Sequence, residues 1–108
     1  MNIHEFIKQT FKEEHGYCYR PRIVCNDGFS MSVQGSAGHY CIPRITQDWY
    51  ESLEIGFPSE EEGLINFYAE TEYNWTDTVY PYTPINIIEA VIIKHGGINI
   101  EETFKKWL

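Results

Sequence analysis

The run RIVCNDGFSMSV, residues 22–33, constrains this chain more than any other stretch. Two alternating segments flank Asn26-Asp27-Gly28, a turn sequence, so the run reads as an antiparallel hairpin. Loop length decides which side chains share a face. A two-residue loop at Asp27-Gly28 would set Cys25 opposite Ser30 and Val24 opposite Met31, mixing apolar and polar residues on both faces. A three-residue loop, a type I turn with Gly28 in the left-handed position, sets Cys25 opposite Phe29 and Ile23 opposite Met31. Ile23, Cys25, Phe29, Met31 and Val33 then form one face, and Arg22, Val24, Ser30 and Ser32 the other. Register follows the buried pattern, which selects the three-residue loop and makes Cys25 a small buried hydrophobe beside Phe29.

A hairpin with one apolar face needs something to cover it, and the flanking sequence supplies it. Asn2 and Glu5 form a capping box, and Ile3, Phe6, Ile7, Thr10 and Phe11 follow at helical spacing, predicting a helix over 3–14 stopped by Gly16. Residues 35–38 (GSAG) read as a flexible loop. Residues 39–44 read as a short strand ended by Pro43, and 49–57 as a longer half-buried strand in which Leu53, Ile55 and Phe57 alternate with polar or small residues. Pro58-Ser59 opens a second helix, with Ser59 and Glu62 as a capping box, Glu60, Glu61 and Glu62 in the first turn, and Leu64, Ile65 and Tyr68 facing inward. Residues 71–83 read as an irregular, ordered aromatic loop. Thr83-Pro84 opens a third helix with Ile85, Ile88, Val91 and Ile92 buried and Ile87 at the edge, and His95-Gly96-Gly97 stops it. Asn99 and Glu102 box a short last helix carrying Phe104 and Trp107. The expected fold is a single α+β domain over 1–108, with a small antiparallel sheet of three to four strands packed by three to four helices in two layers.

Composition agrees with one core: 108 residues, 43% hydrophobic and 16% aromatic. The formal charge of −8 argues against direct nucleic-acid binding, which needs Lys and Arg for phosphate contacts, and against anionic membrane surfaces. The N-terminal residues carry Glu5 and no apolar h-region, so no signal peptide is expected. Three cysteines, an odd number without a secretory signal, predict reduced thiols and a cytoplasmic location.

Few residue patterns point to reaction chemistry. Cys18, Cys25, Cys41, His39 and His15 are the candidate metal ligands, but no two cysteines have zinc-ligand spacing; only His39 and Cys41, two apart, would share a strand face. Cys18 or Cys41 with His39 or His15 can be drawn as a dyad, yet no oxyanion-type glycine turn follows either cysteine. Glu60, Glu61 and Glu62 splay around a helix end and suit capping better than acid–base work, and GSAG lacks the lysine and context of a phosphate loop. No catalytic residue, metal or cofactor is therefore expected.

Charge is distributed far more unevenly. Between Arg44 and Lys94 lie Asp48, Glu51, Glu54, Glu60, Glu61, Glu62, Glu70, Glu72, Asp77 and Glu89, ten of the sixteen acids, with no Lys or Arg among them. Aromatic residues Tyr68, Tyr73, Trp75, Tyr80 and Tyr82 are interleaved with them, as a satellite core or as interface anchors. Acidic groups set among Tyr and Trp imitate the phosphates and bases that a nucleic-acid-binding protein expects, so Glu60, Glu61, Glu62, Glu70, Glu72, Tyr73, Trp75 and Asp77 are the expected partner-binding residues.

The runs RPRIVCNDGFSMSVQGS, YESLEIGFPSEEE and VYPYTPINIIEAVIIKHGGI resemble small proteins encoded by bacteriophages and mobile elements. The resemblance implies a bacterial, cytoplasmic, phage-type context, and small acidic proteins of that context include, by analogy, anti-CRISPR inhibitors and other counter-defence factors. The expected function is thus a non-enzymatic inhibitor that blocks a basic nucleic-acid-binding site on a host protein, a CRISPR effector being the concrete candidate, with the chain as monomer or homodimer. The alternative is a small self-associating accessory or structural phage module using its aromatic surface. A third reading is a Cys/His metal or thiol protein built on Cys18, Cys41 and His39.

Overall fold

Asn2 behaves as its sequence context requires. Its side chain accepts the Glu5 N–H at 2.9 Å while the Glu5 carboxylate accepts the Asn2 N–H at 3.4 Å, and helix α1 (Ile3–Gln9) follows. The computed structural model describes residues 1–14, 17–105 and 107. α1 is shorter than the helix predicted over 3–14. Thr10 closes it, its hydroxyl donating to the Phe6 carbonyl at 2.6 Å, and Phe11 is left exposed. The backbone beyond is committed to pairing, β1 (Glu13–Glu14) running antiparallel to β2 (Tyr17–Cys18). Gly16, the expected stop, lies outside the described residues.

The hairpin forms in the predicted register. β3 (Ile23–Val24) pairs with β4 (Ser30–Gln34), Ile23 opposite Met31 and Val24 opposite Ser30. The Cys25 N–H donates to the Phe29 carbonyl at 2.7 Å and the Gly28 N–H to the Cys25 carbonyl at 3.0 Å. Gly28 sits at φ +97°, where a side chain would be strained. β5 (Ser52–Gly56) pairs antiparallel with β4, and β6 (Val79–Pro84) with β5, giving a sheet ordered β3-β4-β5-β6.

One sheet face carries Ile23, Cys25, Phe29, Met31, Val33, Leu53, Ile55 and Tyr80. Helix α1 and helix α2 (Ile85–Lys94) cover it with Ile3, Phe6, Ile7, Ile88, Val91 and Ile92, and all these residues belong to one buried cluster. Each such side chain contributes about 1.5–3 kcal/mol of transfer free energy, so this two-layer core carries the fold. The fold is α+β, as the element pattern predicts.

Both edges of the sheet are closed. At β3, Cys25 bridges Ile98, the Asn99 N–H donates to the Val24 carbonyl at 2.8 Å, and Thr103 of helix α3 (Ile100–Phe104) exchanges hydrogen bonds with the Val24 backbone. At β6, the Glu70 N–H donates to Val79 at 3.0 Å and the Tyr82 N–H to Tyr40 at 3.1 Å. Pro81 removes one further donor from that edge.

Four further segments depart from expectation. Residues 39–44 make only a bridge between Ile42 and Ser52, because Pro43 cannot continue a ladder. The strand predicted over 49–57 begins at Ser52. The second helix does not form: after Pro58 the chain makes turns and one 3-10 turn (Asn66–Tyr68). The Ser59 hydroxyl is drawn instead to β4, accepting the Ser30 N–H at 2.9 Å, and Glu62 turns into the protein rather than capping. Ile65 is buried and Tyr68 partly so, but Leu64 is exposed. The expected aromatic loop over 71–83 is a turn only as far as Thr78, beyond which the chain enters β6.

Candidate functional site

The acidic segment reaches the surface through two loops between β5 and β6. Glu60 and Glu61 are exposed on the loop after β5, and Glu70, Glu72 and Asp77 on the turn before β6. The turn is built from its own backbone: the Asp77 N–H donates to Asn74 at 3.0 Å, and the Thr71 N–H to the Thr78 hydroxyl at 3.2 Å. Tyr73 projects from it, 84% exposed and held at φ +63°. Its ring meets the half-buried Trp75 ring edge-on, centroids 5.6 Å apart. A bulky residue in the left-handed region is uncommon and costs on the order of 1 kcal/mol or more.

The two loops meet around Tyr80. Its ring is in the core and its hydroxyl donates to the Trp75 carbonyl. Burial, then the nearby Glu61 carboxylate, pushes that phenol up from its ordinary value. Glu70 lies beside Glu54, whose carboxyl is also pushed up, first by burial and then by the like charge. Phe67, 90% exposed, lies on the segment between the two loops. The loops therefore place several carboxylates and two large exposed aromatic rings around one strand.

Glu62 corrects the sequence reading. It is 1% exposed and does not belong to that surface. Lys94 Nζ approaches its two carboxylate oxygens at 2.9 and 3.1 Å, and the Leu64 N–H donates to it at 2.9 Å. His95 Nε2 lies 2.7 Å from its Oε1. The other ring nitrogen, Nδ1, lies 2.6 Å from Asp27 Oδ2 in the hairpin turn, and the Phe29 ring stacks on the imidazole at 4.0 Å. A buried carboxylate beside two potential cations is better satisfied than one at a helix end, and this pairing overrides the capping box. Burial by itself raises the Glu62 carboxyl, but the Leu64 N–H, Lys94 and His95 together bring it below the ordinary carboxylate value. The Phe29 N–H, then His95, lower that of Asp27. Burial by itself lowers the His95 value, but hydrogen bonds and charge from Glu62 and Asp27 outweigh it and raise it. The sequence offers Asp27 only as a turn residue and His95 only as part of a helix stop; no spacing pattern pairs His95 with residues 68 and 33 positions away.

Of the remaining candidates, His39 and Cys41 lie in the loop between β4 and β5. The Ser36 hydroxyl and His39 Nδ1 are 2.6 Å apart, and the same hydroxyl accepts the Gly38 N–H at 3.0 Å. Burial, with Arg20 and Arg44 nearby, holds His39 below its ordinary value. Ser36 is fully buried, so this pair shapes a turn rather than meeting a substrate. Cys41 is buried, and its thiol donates to the carbonyls of Ser36 and Pro43 at 3.3 and 3.4 Å. Cys18 and Cys25 are likewise buried and free. His15 lies outside the described residues. Among the described residues no group of three or more His, Cys, Asp and Glu is arranged to hold a metal ion, and no helix is long and apolar enough to cross a membrane.

Comparison with known protein families, with curated proteins and with solved structures returned no match.

Proposed function

We propose that this protein is a non-enzymatic binding protein of bacteriophage type, acting in the host cytoplasm, that occupies the basic nucleic-acid-binding surface of a host protein. A CRISPR effector is the concrete candidate. The observation that carries the reading is exposure on the segment between β5 and β6: Glu60, Glu61, Glu70, Glu72 and Asp77 are exposed on the same two loops that carry the exposed Tyr73 and the half-buried Trp75, while Lys94, the first cation after Arg44 along the chain, is engaged by Glu62. A negative field attracts and orients a cationic groove, and a rigid aromatic anchor supplies desolvated contact area. The strained backbone at Tyr73 fits a side chain held out for contact. Glu62 supports this surface from beneath and makes no contact of its own.

The test is binding of the purified chain to a CRISPR effector ribonucleoprotein across a salt series, with and without target DNA. The expected result is affinity that falls steeply with salt, competition by DNA, and a loss of tenfold or more in the Glu60→Lys/Glu61→Lys variant. Binding indifferent to salt and to that variant would exclude the reading.

Self-association is the second reading. Tyr40, Ile42, Ile45, Trp49 and Tyr82 are all more than 40% exposed; Tyr40 and Tyr82 touch, with ring centroids 6.0 Å apart, and Tyr82 is held at φ +53°. Sedimentation over a range of concentrations separates the two readings: a dimer broken by Tyr82→Ala favours the second.

A further inference from the structure

His95 occupies a position that a neutral imidazole cannot fill. Both ring nitrogens face carboxylate oxygens, Nδ1 at 2.6 Å from Asp27 and Nε2 at 2.7 Å from Glu62. A neutral ring has one N–H and one lone pair, so one carboxylate would confront a lone pair at hydrogen-bond distance. Only the imidazolium donates to both. The charged and titratable groups around the ring come from three elements: Asp27 from the hairpin turn, Glu62 from the loop after β5 and, across Glu62, Lys94 from the same helix as His95. The Cys25 thiol lies close enough to Asp27 to feel its charge, and Phe29 covers one face of the ring.

The mechanical consequences differ for the two carboxylates. The hairpin turn is tied to the end of α2 by other bonds as well: the Asn26 N–H donates to Gly97 at 3.0 Å, the Asn26 amide to Gly96 at 2.6 Å, and the Asp27 N–H to His95 at 3.2 Å. That joint survives without the His95 charge. The loop bearing Glu60 and Glu61 is pinned to β4 at its start, where the Ser59 N–H donates to the Ser30 carbonyl at 2.8 Å, and to the core at its end by the buried Ile65; between these anchors Glu62 reaches the helix only through Lys94, which is half-exposed, and His95.

We propose that His95 is a proton-operated latch: as imidazolium it clamps Glu62, and so the middle of the loop carrying Glu60 and Glu61, onto the hairpin turn, and loss of its proton loosens that segment between its anchors at Ser59 and Ile65. The consequence for partner binding rests on the surface reading above; the latch itself does not. Its direction follows from linkage. The closed loop favours the charged ring, so latching is complete below the ordinary histidine value, weakens as pH rises, and is lost once pH passes the raised value of the closed state. Deprotonation of His95 would leave Glu62 buried with one cation fewer.

The experiment is a pH titration of the whole chain by NMR, reading the His95 ring, the Leu64 amide and hydrogen-exchange protection at Leu64, whose N–H donates to Glu62. The His95 ring and the Leu64 amide are expected to titrate together, with a midpoint above the ordinary value of about 6.5. Protection at Leu64 is expected to fall by about tenfold per pH unit between the ordinary and raised values. Glu62→Gln is the decisive variant, because its carboxamide donates to the Nε2 lone pair of a neutral ring while Nδ1–H still serves Asp27. Protection at Leu64 should then become nearly independent of pH. A His95 midpoint at or below the ordinary value, or a Leu64 amide that ignores it, would overturn the latch. Because none of these readouts involves a partner, a failed latch and a failed binding surface are told apart: salt-dependent binding that does not change across the His95 midpoint sinks the latch's regulatory consequence while sparing the surface.

Discussion

Cys25 and Gly35 illustrate how far a single residue's environment sets its chemistry. Cys25 lies in the core beside Phe29, where burial, then the Asp27 charge, pushes its thiol up to about 11. It is protonated and inert at neutral pH, a small hydrophobe rather than a nucleophile. That place was legible, because only one hairpin register buries the apolar set. Gly35 was not. In the sequence it is one glycine of a GSAG loop; in the structure its Cα faces Leu53 and Tyr50, and an added Cβ would lie 2.6 Å from Leu53 Cδ2 and 2.9 Å from the Tyr50 ring. Its carbonyl also accepts the buried Arg20 guanidinium at 2.7 Å. Gly35→Ala is therefore expected to destabilise the protein by about 1–3 kcal/mol through overpacking. A denaturant midpoint unchanged by the substitution would contradict that contact.

At the level of elements, local chemistry succeeded where nothing competed with it. The capping box at Asn2 and the Asn99 cap, whose side chain accepts the Glu102 N–H at 3.0 Å, both open helices as predicted. Asn99→Ala is expected to cost about 0.5–2 kcal/mol by removing that cap. Because the Asn99 N–H also lies on the edge of β3, amide exchange at Val24 should rise with it; a change confined to α3 would show that helix and edge are uncoupled. The helix predicted after Pro58 failed for a reason no local rule contains. Ser59 and Glu62 carry capping chemistry, but each meets a partner distant in sequence, Ser30 for one and Lys94 with His95 for the other. The strand predicted over 39–44 was lost to Pro43 and to local turn bonds at Ser36, and α1 stopped early because the chain turned into β1.

Across the whole molecule, charge couples stability to pH from both sides. Asp27 and Glu62 are held below their ordinary values, so their stabilisation is present above the ordinary carboxylate range and fades as pH falls through the lowered values. His95 is held above its ordinary value, so its stabilisation is full below that value and fades as pH rises through the raised one. Mutual repulsion within a chain of charge −8 also weakens on approach to its pI near 4.8. Thermal stability is thus expected to peak between about pH 4.5 and 6.5, with Glu62→Gln flattening both limbs. A melting temperature rising steadily from pH 5 to 9 would contradict this.

By itself, the sequence determined what local periodicity and turn chemistry can determine: the hairpin register, α2 and its glycine stop, the capped ends, the α+β class and the concentration of acid between Arg44 and Lys94. These depend on neighbours a few positions apart, whose geometry the backbone prescribes. Tertiary structure alone decided which acids face water. It buried Glu62 between Lys94 and His95 and left Glu60 and Glu61 outside, because a buried carboxylate is placed by the cations the fold brings to it and not by the residues beside it in the chain.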